Sequence, residues 1–266
     1  MPRKKRSDAT KILLLFAAIV ALMVVFDYRE NIANWWWYRG YSTNCEGRPK
    51  QFDNFGVAMP KGYAVHGLDV SHFTCPIDWF DVRRTKYADI NLKFAITRAT
   101  SGTKSIDEQF DANWAGIRRV GLIRGAYHYF KPGQSAVSQA AKYLSKAMPE
   151  RGDLPPILDI EETGSLTDTQ MDAAIKQWLK YTEKATRLRP IIYVNRHYFE
   201  RFIRGRFDTY PVWIAAYKIP EDKLPDGLVW QFWQHTDKGH INGVSEYIDL
   251  NVFNGTLPQL RAILKK

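Results

Sequence analysis

The chain lacks most of what several enzyme classes require. Its six histidines form no close pair at ligand spacing, and no His-Glu-x-x-His stands anywhere, which excludes a metal-centred reading and leaves no cofactor to expect. Ser71 lacks the Gly-x-Ser-x-Gly setting of a nucleophile elbow. There is no internal repeat and no low-complexity tract. Lys and Arg nowhere interleave with aromatics as a nucleic-acid-binding stripe, so that partner is set aside. With only Cys45 and Cys75 present, at most one bridge can form, and it would staple a linker to a folded domain in an oxidising compartment.

What is present bounds the chain differently. It has 266 residues, 45% hydrophobic and 25% charged, enough for one large domain or two small ones, with a sizeable core. The 9 Trp, 14 Tyr and 14 Phe suit core packing and, equally, stacking on sugar rings. Net charge is +10. The first eleven residues, MPRKKRSDATK, carry five Lys/Arg and one Asp, and the remaining positive charge is spread along the chain, favouring anionic partners such as cell-wall polymer or lipid headgroups.

The basic leader is followed by fifteen apolar residues, Ile12 to Phe26. By length this is a signal-peptide core or a short membrane span. No small-x-small cleavage pattern follows Phe26, and Trp35-Trp36-Trp37-Tyr38 form the aromatic cluster of a membrane–water interface. Residues 1–38 therefore read as a cytoplasmic tail and an uncleaved signal-anchor, with the rest of the chain extracytoplasmic. A cleaved signal peptide and secretion are the alternative. Residues 39–60, with Gly40, Gly47, Pro49 and Pro60, read as a linker, and 61–266 as the folded domain, expected to act as a monomer.

Within that domain the informative stretch is Leu154-Pro155-Pro156-Ile157-Leu158-Asp159-Ile160-Glu161-Glu162. An apolar run entered by a Pro pair and left by Thr163-Gly164-Ser165 reads as a buried strand of a parallel sheet. Period two puts Asp159 and Glu161 on one face, with Cβ atoms roughly 6.5–7 Å apart. Glycosidases flank the scissile bond with carboxyl groups about 5–9.5 Å apart. An ordinary strand end would also carry Asp and Glu, so the pair alone does not decide the function.

Strands are expected at 64–70, 92–99, 122–130, about 154–160, 190–195, 212–217, 228–233 and 247–250. Helices are expected at 78–85, 106–120, 136–148, from the capping box Thr167-Asp168-Thr169-Gln170, weakly at 196–203, and from Leu257. Repeated β-α units argue for a parallel sheet, and eight strands for a modified (β/α)8 barrel with helices mainly after the first five strands. Asp69, Arg98, Tyr127, His128, Asp159, Glu161, Tyr193, Trp213, Tyr217, Trp233, Gln234 and Asp249 then fall at strand ends, where a barrel would converge them on one mouth. Carboxylates ringed by aromatics look like a carbohydrate cleft.

Gly67-Leu68-Asp69-Val70-Ser71, Arg98-Ala99-Thr100, Gly125-Ala126-Tyr127-His128-Tyr129-Phe130, Leu158-Asp159-Ile160-Glu161, Trp213-Ile214-Ala215, Trp233-Gln234-His235-Thr236 and Ile248-Asp249-Leu250-Asn251 resemble, in this order, the family-25 glycoside hydrolases. These are lysozymes that act as N-acetylmuramidases. The resemblance covers roughly residues 64–256 and implies a modified β/α barrel cleaving the β-1,4 bond between N-acetylmuramic acid and N-acetylglucosamine in peptidoglycan. It implies Glu161 as the general acid and Asp159, expected to stay ionised, as the second carboxylate, orienting the 2-acetamido group or stabilising the transition state. Asp69 and Asp249 would be the other cleft acids. Tyr127, Tyr193, Trp213, Tyr217, Arg98 and Trp233 would bind substrate. A catalytically silent glycan-binding module and a chitinase-like barrel are the competing expectations.

Overall fold

The computed structural model of the protein describes residues 50–219, 224 and 229–266. The basic leader, the apolar run, the aromatic cluster, the first part of the linker and Cys45 lie outside the described residues. Among the described residues no helix is long and apolar enough to cross a membrane.

Eight strands close a barrel: β1 (Val65–Val70), β3 (Ile90–Ser101), β5 (Ile123–Tyr129), β6 (Ile157–Ile160), β7 (Ile191–Asn195), β8 (Val212–Ala215), β9 (Phe232–Gly239) and β10 (Ile248–Phe253). Two short ribbons, β2 (Lys86–Tyr87) and β4 (Ser105–Ile106), pair with β3. From β1 through β3 and on to β9, neighbouring barrel strands are parallel. β10 closes the ring antiparallel to both β9 and β1. The reversal follows from chain length. Only residues 240–247 separate β9 from β10, whereas a parallel return needs a crossover of a dozen or more residues.

Helices follow the first five barrel strands: α1 (Trp79–Arg84), α2 (Phe110–Arg119), α3 (Ala136–Lys146), α4 (Asp168–Thr186) and the short α5 (Arg196–Tyr198), which runs into a π-turn at Phe199–Ile203. α6 (Leu257–Ala262) comes after β10. α4 opens on the Thr167–Gln170 capping box read from the sequence. Two expected elements shift. The helix expected from residue 106 starts at Phe110, because Ser105 and Ile106 turn back at Gly102 to pair with β3. The strand expected at 228–233 becomes 232–239, running on through Asp237 and Lys238.

Side-chain parity sorts the core. Ile157, Ile191, Tyr193, Trp213, Phe232 and Phe253 fill the barrel interior. Leu158, Ile160, Ile192, Val194, Ile214 and Trp233 face outward against Met171, Ile175 and Trp178 of α4. β6 is wholly buried, so its period of two dictates that Asp159, in step with Ile157, points inward.

Residues 50–60 form no regular element but lie on the barrel. Phe55 is buried, the Phe52 ring stacks on His240 at 4.5 Å, and the His240 amide donates to the Phe55 carbonyl at 2.7 Å. Cys75, in the loop after β1, is disulfide-bonded, and Cys45 is the chain's one other cysteine.

Candidate active site

The C-terminal ends of the parallel strands surround a small cavity of about 60 Å3 lined by Asp69, Tyr127, Asp159, Glu161, Tyr193, Trp213, Gln234 and Asp249. Asp249 arrives there by the reversed strand. It lies near the start of β10, which runs down from the mouth, and sits in register opposite Asp69 near the end of β1. In an all-parallel barrel the start of a strand would lie at the far end.

Asp69 is buried and held by a fixed network. Its Oδ2 accepts from Gln234 Nε2 at 2.8 Å and from Asn251 Nδ2 at 2.7 Å. Gln234 Oε1 in turn accepts the hydroxyls of Tyr193 at 2.8 Å and Tyr217 at 2.6 Å. Asn251 Oδ1 accepts the Trp213 indole N–H at 2.7 Å. Burial, and then the charge of Asp249, push Asp69 well above the usual carboxylate range, against the two amide donors. Burial also lifts Asp249 to about 6. The two carboxyls are hydrogen-bonded, so they titrate as a pair holding one proton between their two macroscopic steps.

Asp159 is 3% exposed, and its Oδ1 has no hydrogen-bond partner. Desolvation, then the charges of Glu161 and Asp69, raise its pKa well above the ordinary value, against Arg98 and Lys131. Burial and these neighbouring charges work against the ionised Asp159 that the resemblance implies. Glu161, one residue beyond β6, stands open at the rim. Its pKa is raised, chiefly by desolvation, with Arg98 opposing and Glu162 adding.

The aromatic residues divide. Tyr127, Tyr193 and Trp213 wall the cavity, with the Trp213 ring edge-on to both tyrosines at 6.4 and 4.6 Å. Tyr217 stands half-exposed at the rim, tied to Gln234. Trp233 does not reach the cleft. It is 1% exposed on the outer face of β9, edge-on to Tyr63 and Trp230, and its indole N–H donates to the Ala216 carbonyl at 2.8 Å. Parity explains the correction, since Gln234, one residue on, takes the inward position. Gln234 stands at the mouth as expected, though the sequence alone assigns it no role, and Asn251 is not picked out there; both hold Asp69. The alternation of β9 and β10 held the signal for both.

Arg98, at 15% side-chain exposure, lies beside the carboxylates rather than in the cavity. Its Nε donates to Asp107 Oδ2 at 2.9 Å, and its guanidinium meets the His72 ring. Asp107, with no side-chain exposure, also accepts the His72 backbone N–H at 2.9 Å and the Gln109 N–H at 3.0 Å. On a helix starting at residue 106, as the apolar spacing predicts, Asp107 would have no such role. His128 is structural. It is buried between Thr100 Oγ1 and Gln139 Oε1, stacks on Trp178, and burial lowers its pKa to about 4. Among the described residues no group of three or more His, Cys, Asp or Glu is arranged to hold a metal ion.

The arrangement is that of a glycosidase: carboxylates of unequal burial against aromatic walls. Residues 68–244 match the model of Glycosyl hydrolases family 25. Over 244 residues the chain is 32% identical to Lysozyme M1 of Streptomyces globisporus, covering 85% of this chain and 80% of that one. It is 41% identical over 213 residues to YegX of Escherichia coli (strain K12), an uncharacterized protein, covering 79% of this chain and 77% of YegX. Among solved structures, a bacterial lysozyme from Streptomyces coelicolor superimposes with a TM-score of 0.70 at 30% identity, covering 77% of this chain and 99% of that one. The chain belongs to glycosyl hydrolases family 25.

Proposed function

We propose that the barrel hydrolyses the β-1,4 bond between N-acetylmuramic acid and N-acetylglucosamine in peptidoglycan, with Glu161 as general acid. The observation that carries this reading is the pairing of an open, desolvated Glu161 with the deeply buried Asp159 two residues earlier. Glu161 can reach a glycosidic oxygen at the rim, and its raised pKa keeps a proton available toward neutral pH. Asp159 lies deeper, with an oxygen in need of a donor. A substrate 2-acetamido N–H would satisfy it, which favours an orienting role for Asp159. A cavity this small takes such a substituent rather than a whole ring, leaving the sugars to lie across the mouth against Tyr127, Tyr193 and Tyr217. Asp69 and Asp249 share a proton beside them and keep the floor of the cleft polar.

We further propose that residues 12–26 anchor the chain in a membrane with the catalytic domain outside the cytoplasm, acting as a monomer. The basic leader, the missing cleavage pattern and the aromatic cluster at 35–38 support the anchor. The disulfide at Cys75 fits an oxidising compartment. All four acids and the cleft walls come from one chain.

The test incubates the full chain and a Glu161→Gln variant with purified peptidoglycan and identifies new reducing ends by mass spectrometry. Muropeptides ending in reducing N-acetylmuramic acid, absent with the variant, are expected. Intact glycan that nevertheless binds would make the domain a binding module, and turnover of chitin alone would make it a chitinase.

A further inference from the structure

Beside the acidic cleft lies a second pocket of opposite character. It has a volume of about 430 Å3 and is lined by Ser101, Thr103, Lys104, Ser105, Lys131 and Gln134, within the roughly 300–1,000 Å3 of ordinary ligand sites. It opens between the β3–β4 turn and the loop that follows β5, at the end of the barrel that carries the cleft.

The two walls are pinned to one another, so the pocket is preformed. Gln134 Oε1 accepts the Thr103 backbone N–H at 2.7 Å and its hydroxyl at 3.0 Å. The Gly102 N–H donates to the Tyr129 carbonyl at 3.1 Å. Gly102 has φ +57°, and a Cβ there would meet Gln134 Oε1 at 2.6 Å, so the turn needs glycine. From behind, Gln139 accepts the Lys131 N–H at 2.8 Å and donates to the Lys131 carbonyl at 2.9 Å.

No carboxylate lines this pocket, whereas four line the cleft. It presents two ammonium groups and three hydroxyls. Lys131 bridges the two sites: its Nζ pairs with Glu162 at 2.7 Å, lies 4.6 Å from the centre of the Tyr129 ring, and its charge acts on Asp159 and Glu161. Lys104 is exposed and has no ion-pair partner among the described residues.

We propose that this pocket is a subsite for the acidic peptide carried on the lactyl ether of the substrate's muramic residue. The inference rests on the muramidase reading, which places a muramic residue at the cleft. That residue joins a neutral sugar backbone to a peptide bearing free carboxylates. The cleft, lined by four acids and no Lys or Arg, offers a carboxylate no cation. The second pocket offers cations, hydroxyl donors and room for a short peptide, and the charge of Lys131 on its wall reaches Asp159 and Glu161. The enzyme thereby distinguishes peptide-bearing glycan from bare glycan by charge complementarity.

Two polymers test this: peptidoglycan chains with their peptides, and the same chains stripped by an amidase, which leaves one lactyl carboxylate on each muramic residue in place of the peptide and its carboxylates. Binding of each to full-length Glu161→Gln protein, with and without Lys104→Glu, is measured by co-sedimentation. Turnover of each is measured for the wild type and for Lys104→Glu. The peptide-bearing polymer is expected to bind more tightly, and Lys104→Glu to remove that preference, a change of about fivefold or more for reversing one exposed charge. The kcat/KM ratio between the polymers should fall in step, through KM. Equal binding of the two polymers, or equal loss on both, overturns the subsite. Binding decides the subsite even if neither polymer is cleaved, whereas absence of turnover by the wild type refutes the muramidase reading alone.

Discussion

Replacing Asp249 by Asn should make the protein more stable at neutral pH while impairing turnover. Burial moves the Asp249 carboxyl from 3.8 to about 6, so the folded protein holds this proton more tightly than the unfolded chain does. Below about pH 3 both states are largely protonated and the site costs little. As pH rises from there toward 6 the unfolded chain ionises first, and stability falls by about 1.36 kcal/mol for each pH step of one. Across the whole interval between the two pKa values the loss comes to about 3 kcal/mol. Asp249 is partly open to solvent and shares a proton with Asp69, so about 1–3 kcal/mol is the range to expect.

Asparagine keeps the shape, can still hydrogen-bond Asp69, and carries no charge to desolvate. For a domain of this size 1 kcal/mol is worth about 2–4 °C in Tm, so the variant should melt about 2–12 °C higher at pH 7 and at nearly the same temperature as the wild type near pH 4. The assay is a thermal melt of both proteins every half pH unit from 4 to 8, with muropeptide release measured in parallel. A variant no more stable than the wild type at pH 7, or one whose advantage is as large at pH 4, would refute the electrostatic reasoning. The more usual outcome of a substitution at a hydrogen-bonded buried site is loss of stability.

At the far end of the barrel, Asp153 chelates the buried Arg124 through Nε at 2.6 Å and Nη2 at 3.0 Å. Asp153→Ala leaves that guanidinium with the exposed Glu150 and the Trp114 ring and carbonyl, so urea unfolding should show a loss of about 3–5 kcal/mol with kcat/KM unchanged in the surviving folded protein. Neighbours on β9 should behave oppositely. Trp233→Phe strands the Ala216 carbonyl and should cost about 1–3 kcal/mol with glycan binding intact. Gln234→Leu, which strands the Tyr193 hydroxyl and removes a donor from Asp69, should cut turnover at least tenfold. Glycan binding lost with Trp233→Phe would return that residue to the cleft.

The sequence made the barrel legible where local chemistry is strong. The Thr167–Gln170 box starts α4 where expected, and the Pro-led apolar run ending in Asp159 becomes β6. The helices after the first five barrel strands follow from their apolar spacing. Strand direction was not legible, because antiparallel closure by β10 depends on what a short loop can span, while the apolar pattern of a strand is the same in either direction. Asp249 therefore reaches the mouth as expected, but on a strand running the opposite way. Trp233 departs from expectation for a related reason. An aromatic at a strand end suits a sugar platform, but its face is fixed by register, and β9 begins later than its apolar residues suggest. The amides Gln234 and Asn251 stand inside stretches that resemble the family, but their role appears only once the fold surrounds Asp69 with them.

Asp159 shows how the resting electrostatics of the cleft differ from those the reaction needs. Four acids line one small cavity, and burial together with their mutual charge raises the pKa of the most buried, Asp69 and Asp159. An orphaned, desolvated Oδ1 costs about 1–3 kcal/mol as long as it lacks a donor. Under the muramidase reading, the 2-acetamido N–H of a bound sugar supplies that donor, and hydrogen bonding to the carboxylate favours its ionised form. A charge that appears on Asp159 acts on its neighbour two residues away and makes Glu161 hold its own proton more tightly. The interaction is reciprocal, since the charge of Glu161 raises Asp159 in the free protein. On that reading the substrate would shift the proton from the inner carboxyl toward the rim carboxyl, where a general acid at Glu161 would need it. A bare barrel with an ionised Asp159 would hold that charge at a standing cost. Leaving the donor to the substrate places the charge there only when there is a bond to cleave.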